Sequence, residues 1–181
     1  IMPSLVGSEM CIRDRLIAHV ASLLSVLLVA ISVLGVLCAP YLVYVIATGF
    51  NEPGSQAQLT ANLIQFTFPY LLFVSLTSLF ASVLNTWGRF AVPAFTPALL
   101  NISFILSAFY LTPFFDPPIM ALGLAILLGG IAQLCFQIPF LIRLNLWPKF
   151  RWKPSDPGVL QILRKMAPAV LGVSAAQISL V

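Results

Sequence analysis

Residues 21–47 read ASLLSVLLVAISVLGVLCAPYLVYVIA, a stretch without one charged side chain. A helix of ~20 apolar residues crosses the ~30 Å hydrocarbon core of a bilayer, so this stretch is long enough to span it. The rest of the chain has the same character, because 60% of its 181 residues are hydrophobic and only 8% are charged. So little charge cannot cover a water-soluble domain of this size. The sequence therefore predicts an all-α, polytopic transmembrane helix bundle.

Further apolar stretches continue this pattern along the chain. The connections between them contain Gly, Pro and Asn, residues that end helices and form turns. Because the last apolar stretch is too short to span a membrane, we interpret the polypeptide as an internal fragment of a longer protein. We predict four complete membrane helices and a truncated fifth, at about 17–47, 61–84, 90–111, 119–142 and 166–181, with a long polar loop at 143–165.

Charge alternates between successive connections. The second connection holds Arg89, and residues 143–165 hold a cluster of basic residues, whereas the first and third connections hold Glu52 and Asp116 and no basic residue. Cytoplasmic loops of membrane proteins carry an excess of Lys and Arg. We therefore place Arg89 and residues 143–165 in the cytoplasm and the two acidic connections on the other side. The net charge of +4 thus reflects topology, and we predict no nucleic-acid partner.

Residues 3–15, PSLVGSEMCIRDR, do not fit the apolar pattern that follows them. The string resembles a translated sequencing-adaptor read, and we interpret residues 1–15 as a non-native or disordered lead-in. The alternative is a native cytoplasmic lead-in, in which Arg13 and Arg15 obey the same charge rule as the loops.

The sequence contains no arrangement of residues typical of an active site. The single histidine, His19, lies at a predicted membrane boundary, and no carboxylate lies within a predicted helix. General acid–base and metal catalysis need such groups close together. Cys38 and Cys135 lie in apolar sequence, where cysteine behaves as a small apolar residue. We therefore predict no enzyme, no cofactor and no metal site.

Small and polar residues recur at helical spacing within the predicted membrane helices. Small residues let two helices approach closely, and Ser, Asn or Gln side chains hydrogen-bond across the interface. Such a face usually packs against another helix, and otherwise lines a polar cavity. Because an amide is costly against lipid, Gln133 and Gln137 are the best candidates for a cavity lining. The faces are Ala18, Ser22, Ser25, Ser32 and Ala39 in the first helix, Ser75, Ser78, Ser82, Asn85 and Arg89 in the second, and Gly123, Gly130, Gln133 and Gln137 in the fourth.

Among the prolines inside predicted helices, we single out Pro69 in the second and Pro139 in the fourth. Proline has no backbone N–H, so each removes one helical hydrogen bond. We therefore predict a kink at each position. Kinked helices are common in transporters that rock or bend, and they also occur in static membrane proteins.

Residues 67–103 read TFPYLLFVSLTSLFASVLNTWGRFAVPAFTPALLNIS. This run resembles the core of the MurJ (MviN) lipid II flippases. The family pattern of FPY followed by LNT(W)xRFxxPAFxPxLLN is matched at residues 68–70 and 84–101. The run GGIAQLCFQIP in the fourth helix and KMAPAVLGVSAAQISL at residues 165–180 are also similar to the family. The resemblance covers residues 18–181.

This resemblance implies a fragment of a two-lobed transporter of the multidrug/oligosaccharidyl-lipid/polysaccharide exporter superfamily. The chain would supply the third to sixth helices and part of the seventh. The implied activity is translocation of the undecaprenyl-diphosphate-linked peptidoglycan precursor, lipid II, across the bacterial inner membrane. The implied partners are that lipid-linked oligosaccharide diphosphate, membrane lipids and the remaining helices of the full-length chain. The family's charged transport residues lie in those other helices, so the resemblance assigns no essential charge here.

Arg89 ends the polar face of the second helix and is our main candidate for the substrate path. Its planar guanidinium can hold phosphate oxygens in two hydrogen bonds. The simpler interpretation is an interfacial anchor that extends to the cytoplasmic surface. Asn85 can add an amide donor one turn earlier, and Asn101 can bond to backbone groups freed by Pro97. The full set of substrate-path candidates is Arg89, Asn85, Asn101, Gln133 and Gln137.

Two other functions remain open at this point. One is an exporter of the same superfamily that carries other lipid-linked sugars or drugs, and the run NTWGRFAVPAFTPALLN favours the flippase over it. The other is a membrane-embedded enzyme of lipid or sugar metabolism. Such an enzyme would need acidic motifs in its cytoplasmic loops, and the sequence has none.

Overall fold

The computed structural model describes residues 3–46, 55–144, 146, 164, 168 and 172. Each long element in this part of the chain is a helix with a segment long and apolar enough to cross a membrane, which confirms the predicted fold class. The predicted fifth helix and most of the polar loop at 143–165 lie outside the described residues. The elements are α1 (Pro3–Ile46), α2 (Ser55–Thr86), α3 (Ala91–Tyr110), a 3-10 turn (Thr112–Phe114) and α4 (Met120–Arg143).

The structure extends two of the predicted helices at their N-terminal ends. α1 begins at Pro3 rather than near residue 17, and α2 begins at Ser55 rather than 61. The interpretation of residues 1–15 as a lead-in stays a prediction. The additional turn of α2 is polar, and Thr60 Oγ1 donates a hydrogen bond to Gln56 O at 2.9 Å. A polar turn that continues a membrane helix does not raise hydropathy, so the apolar pattern could not include it.

The chain divides into two compact units, Ile1–Leu24 with Pro148–Val181, and Ser25–Trp147. In the described part of the first unit, α1 buries Ala18 and Ser22, and Ser22 Oγ donates to Ala18 O at 2.7 Å. The second unit contains every candidate site residue.

The second unit is organised around α4, because α2 and α3 pack mainly on α4 and only slightly on each other. Gly123 lies against Leu63 and Phe66 of α2, and Gly130 lies against Tyr70 and Phe73. Positions along both helices increase together, so α2 and α4 run parallel. Small residues on α4 thus give large side chains of α2 the space to approach.

α3 runs antiparallel to α4, as the short connection between them requires. Ser103 Oγ donates to Ala125 O at 2.8 Å near one end of the pair. Toward the other end, Gln133 Nε2 donates to Thr96 O at 3.1 Å. α3 is therefore held to α4 by polar bonds as well as by apolar contacts.

Gly129 of α4 lies close against α3. A Cβ atom at this position would lie 2.6 Å from Leu100 Cδ1 and 3.3 Å from Ser103 Cβ, so side chains of α3 would have to shift to make room for it. We expect Gly129→Val to lower the free energy of unfolding by ~1–3 kcal/mol, the usual cost of overpacking. The control is Ala132→Val on the exposed side of α4. Reversible unfolding in mixed micelles measures both, and equal stability of the two variants would contradict this packing.

α1 crosses α2 near the proline inside α2. Ser32 Oγ donates to Phe68 O at 2.9 Å, and Gly35 lies directly against the Phe68 ring. Beside this crossing is an apolar groove of ≈ 380 Å³, lined by residues of both helices that include Val33, Leu37 and Pro69. A backbone carbonyl and a glycine thus determine where the two helices meet.

Large apolar side chains cover the outside of the described helices. Tyr41, Phe109 and Tyr110 are 75%, 77% and 70% exposed. A soluble domain would bury residues of this size, whereas a membrane protein turns them toward lipid or toward other helices. The surface therefore agrees with the composition, and the chain is a membrane protein.

Helix directions place the charges of the second unit at opposite ends of the helices. Arg89 follows the end of α2, and Arg143 is the last residue of α4, so the parallel pair brings both cations to one end. Asp116 lies in the connection between α3 and α4, at the other end. This separation supports the predicted topology, with residues 51–61 and 113–118 on the periplasmic side.

That topology can be tested by cysteine labelling in intact cells. The three native cysteines are first replaced by serine, and single cysteines are then introduced as Ser55→Cys and Ser155→Cys. We expect a membrane-impermeant maleimide to label position 55 in intact cells and position 155 only after the membrane is opened. Labelling of 155 but not 55 in intact cells would reverse the orientation.

Candidate functional site

Arg89 lies in the tight turn that joins α2 to α3. Gly88 has a φ of 69°, the left-handed conformation that glycine adopts without strain. The Arg89 N–H donates to Leu84 O at 3.0 Å, and the Gly88 N–H donates to Asn85 O at 3.0 Å. These two bonds form a Schellman motif, which ends α2 and fixes the backbone from which the Arg89 side chain departs.

The side chains of Asn85 and Arg89 are exposed, and neither makes a hydrogen bond within the part of the chain that the structure describes. The outer part of the α2 polar face is exposed as well. Ser78 and Ser82 are exposed, and Ser82 Oγ donates only to Ser78 O of its own helix, at 3.1 Å. The face is therefore open to another helix or to a polar cavity. Asn85 lies in the last turn of α2, and Arg89 lies just beyond the turn at Gly88, so their joint role stays a prediction.

Gln133 and Gln137 are buried between helices and bond to the same residue of α3. Gln133 Nε2 donates to Thr96 O, and Gln137 Nε2 donates to Thr96 Oγ1, both at 3.1 Å. Thr96 Oγ1 donates in turn to Val92 O at 3.1 Å. The two amides therefore fasten α4 to α3, which is the usual role of such a face. Their place in a substrate path stays a prediction.

Sequence reasoning missed Thr96, although it recognised both of its partners. Thr96 lies between Pro93 and Pro97 in a motif that was used only to recognise the family. The position is 5% exposed. On α3, Thr96 follows the buried Val92 by four residues, and one such pair was too weak a pattern to indicate an interface alone.

Gly123, Gly130, Gln133 and Gln137 are all buried on α4, and the face that they form meets two neighbouring helices. The two glycines lie against α2, whereas the two glutamines bond to α3. At ~100° per residue, Gln133 lies about 60° around the helix from Gly130. That rotation is enough to turn a side chain from one neighbouring helix to the next.

Asn101 is apart from the other candidates. It lies on an exposed part of α3, and its side chain makes no hydrogen bond in the described residues, so the expected bond to backbone freed by Pro97 is not formed there. Pro69 and Pro139 lie inside α2 and α4, where the sequence placed them. Each removes the N–H that would bond to the carbonyl four residues earlier, and the kinks stay predictions.

Arg143 is a second cation at the end where Arg89 lies, and sequence reasoning treated it only as a topological charge. Its guanidinium carbon lies 5.9 Å from the centre of the Phe140 ring, within cation–π range. Phe140 continues a row of rings, with Phe136 at 5.5 Å and Phe95 of α3 5.5 Å beyond it. The spacing of Phe140 and Arg143 by three residues on a helix could have indicated this contact.

This arrangement is suited to binding anions at the end of a helix bundle. Exposed guanidinium groups and an amide donor can hold phosphate oxygens at a membrane surface. Among the described residues, no group of three or more His, Cys, Asp or Glu side chains is close enough to hold a metal ion.

Comparison with known proteins gives a consistent result. The sequence model of the family described as "Lipid II flippase MurJ" matches residues 3–181. A probable lipid II flippase MurJ of Buchnera aphidicola subsp. Acyrthosiphon pisum is 40% identical over 167 residues, 91% of this chain and 32% of that protein. The lipid II flippase MurJ of Burkholderia cenocepacia is 36% identical over 170 residues, 92% of this chain and 33% of that protein.

A third relative has a higher identity over a shorter alignment. The probable lipid II flippase MurJ of Haemophilus influenzae is 47% identical over 118 residues, 65% of this chain and 23% of that protein. The chain thus spans about a third or less of the length of these curated relatives. Since the family match extends over nearly every residue, and four described helices have membrane-spanning length, the chain belongs to the MurJ family of lipid II flippases.

Proposed function

We propose that the full-length protein that contains this chain is a flippase, which moves lipid II across the bacterial inner membrane for peptidoglycan synthesis. The observation that carries the proposal is the family match over residues 3–181. On this proposal the protein is a transporter rather than an enzyme and crosses the inner membrane several times. Its partners are the lipid-linked oligosaccharide diphosphate, membrane lipids and the remaining helices of the full-length chain.

The second unit gives Arg89 and Asn85 a role in this activity. Both side chains are exposed at the end of the helices that the charge pattern places in the cytoplasm. The diphosphate of the proposed substrate is a group that a guanidinium and an amide can hold. We propose that Arg89 is the cation that first meets the diphosphate, with Asn85 as a second donor.

Gln133 and Gln137 have an indirect role in the proposed mechanism. They hold α3 against α4 through Thr96, close to the end of α3 that begins just after Arg89. They therefore fix the helix that carries the turn. Asn101, which lies on the exposed side of α3, is available to helices of the full-length chain.

The test is complementation by the full-length gene in a bacterial strain whose own flippase can be depleted. We expect growth to resume and lipid-linked precursor to stop accumulating on the cytoplasmic side. Vector alone is the negative control. Expression at normal level without rescue, or rescue only of a strain that lacks an exporter of other lipid-linked sugars, would refute the assignment.

A further inference from the structure

Three buried polar atoms of the second unit accept or donate no hydrogen bond within the described chain. They are Gln133 Oε1, Gln137 Oε1 and Thr77 Oγ1. The three residues are 5%, 0% and 5% exposed. Buried polar groups are almost always paired, because leaving one unpaired is costly where neither water nor lipid headgroups reach it. Such atoms in one part of a helix bundle therefore point to a bound group.

The bonds to Thr96 establish which atom of each amide is free. Thr96 Oγ1 gives its only hydrogen to Val92 O, so it can only accept from Gln137. Gln133 bonds to the carbonyl oxygen of Thr96, which is an acceptor too. Both contacts therefore require the amide nitrogen. The two free atoms are carbonyl oxygens, and each needs a donor.

Thr77 has a hydrogen-bond donor that lacks an acceptor. Other helical threonines, such as Thr67, Thr86 and Thr96, donate their hydroxyl hydrogen to the carbonyl four residues earlier. Thr77 does not make this bond, although it lies in the middle of α2. Its hydroxyl is therefore a free donor in the interior of the unit.

The register of α2 on α4 places Thr77 beside Gln137. Gly123 meets Leu63 and Phe66, and one heptad later Gly130 meets Tyr70 and Phe73. One further heptad gives Gln137 opposite Thr77 and Phe80, which are both buried. At ~100° per residue, Gln137 also lies only about 20° around the axis from Gly130. Gln137 thus faces the seam between α2 and α3.

We propose that α2, α3 and α4 enclose a binding site for one water molecule. The water donates its two hydrogens to Gln133 Oε1 and Gln137 Oε1, and accepts the hydroxyl hydrogen of Thr77. Three hydrogen bonds are the usual number for a buried water. A sodium ion fits less well, since the site offers three neutral oxygens and no carboxylate, and an uncompensated charge is costly in a protein interior. A side chain from another helix cannot reach Gln137, which is completely buried.

The first test uses the intact wild-type protein in lipid nanodiscs. Hydroxyl radicals generated from water by X-rays modify side chains next to a bound water, and mass spectrometry locates them. We expect Phe80 to be modified although it is only 7% exposed. Phe114, at 83% exposure in the connection after α3, is the positive control. An unmodified Phe80 beside a modified Phe114 would overturn the proposal.

The second test compares Thr77→Val, Gln137→Leu and the double variant of the same protein. We expect each single change to lower the melting temperature by a few degrees. The double change should lower it by less than the sum, because one water is lost in every case, and Phe80 should lose its modification. Thr67→Val is the matched control, since Thr67 is exposed and bonds within its own helix. Strictly additive losses would contradict a shared water. A bound cation would show itself differently. Sodium, but not choline, would then raise the melting temperature of the wild-type protein and leave that of the double variant unchanged.

Discussion

Bacteria depleted of their own flippase are expected to stop growing when residues 16–181 are supplied as the only replacement. In the described part of this chain the polar face of α2 and the side chain of Arg89 are open on one side. A diphosphate must be enclosed by protein to cross hydrocarbon, because an unpaired charge is very costly there. The chain also spans about a third of the length of its relatives. The effect is the complete loss of rescue, measured as growth and lysis after depletion.

The full-length gene serves as the positive control, and an immunoblot of the membrane fraction shows that the shorter chain is present. Growth supported by residues 16–181 at ordinary expression would mean that the transport machinery lies within these helices. The placement of the essential charges in other helices would then be wrong.

Replacing Arg89 by lysine in the full-length protein should slow translocation by roughly ten- to a hundredfold. Lysine keeps the charge but cannot form the paired hydrogen bonds of a planar guanidinium. The loss of one charge-assisted hydrogen bond in the transition state is worth about 1.5–3 kcal/mol. An interfacial anchor needs charge alone, so the simpler interpretation of Arg89 expects no change. Translocation of fluorescent lipid II in proteoliposomes measures the rate.

The matched control is Arg143→Lys. Arg143 lies at the same end of the helices, but its guanidinium packs over Phe140. We expect this variant to keep most of its rate, since lysine also forms cation–π contacts. If Arg89→Lys translocates lipid II at the normal rate and at wild-type protein level, Arg89 is an interfacial anchor. If both variants lose rate equally, the loss comes from changing any arginine at this end of the helices.

The helices themselves could be predicted from hydropathy, but their polar ends could not. The bounds of α3 and α4 lie within one residue of the prediction, because both helices begin and end where the apolar pattern does. α2 starts with the polar turn at Ser55, and a hydropathy scale does not assign such a turn to a membrane helix. Its other end was clearer, since Gly88 after an apolar run is typical of a helix C-terminus.

The positions of the candidate residues along the helices could be predicted, but not the neighbouring helices that they contact. Periodicity indicates that Gln133 and Gln137 point away from lipid, yet it does not say which neighbour they meet. That choice depends on rotations of some tens of degrees and on Gly129, which lets α3 approach α4. Thr96 becomes visible as the common partner only once α3 is known to be antiparallel to α4.

The tight turn at Gly88 has a consequence for how the protein is made. Only four residues separate α2 from α3, so we expect the two helices to enter the bilayer together, as a helical hairpin. Yet the two helices make little contact with each other and meet mainly through α4. The two helices are therefore only weakly associated until α4 has been synthesised. The glycines of α4 then pack against α2, and its glutamines bond to α3. During that interval the newborn protein is most exposed to membrane quality-control proteases.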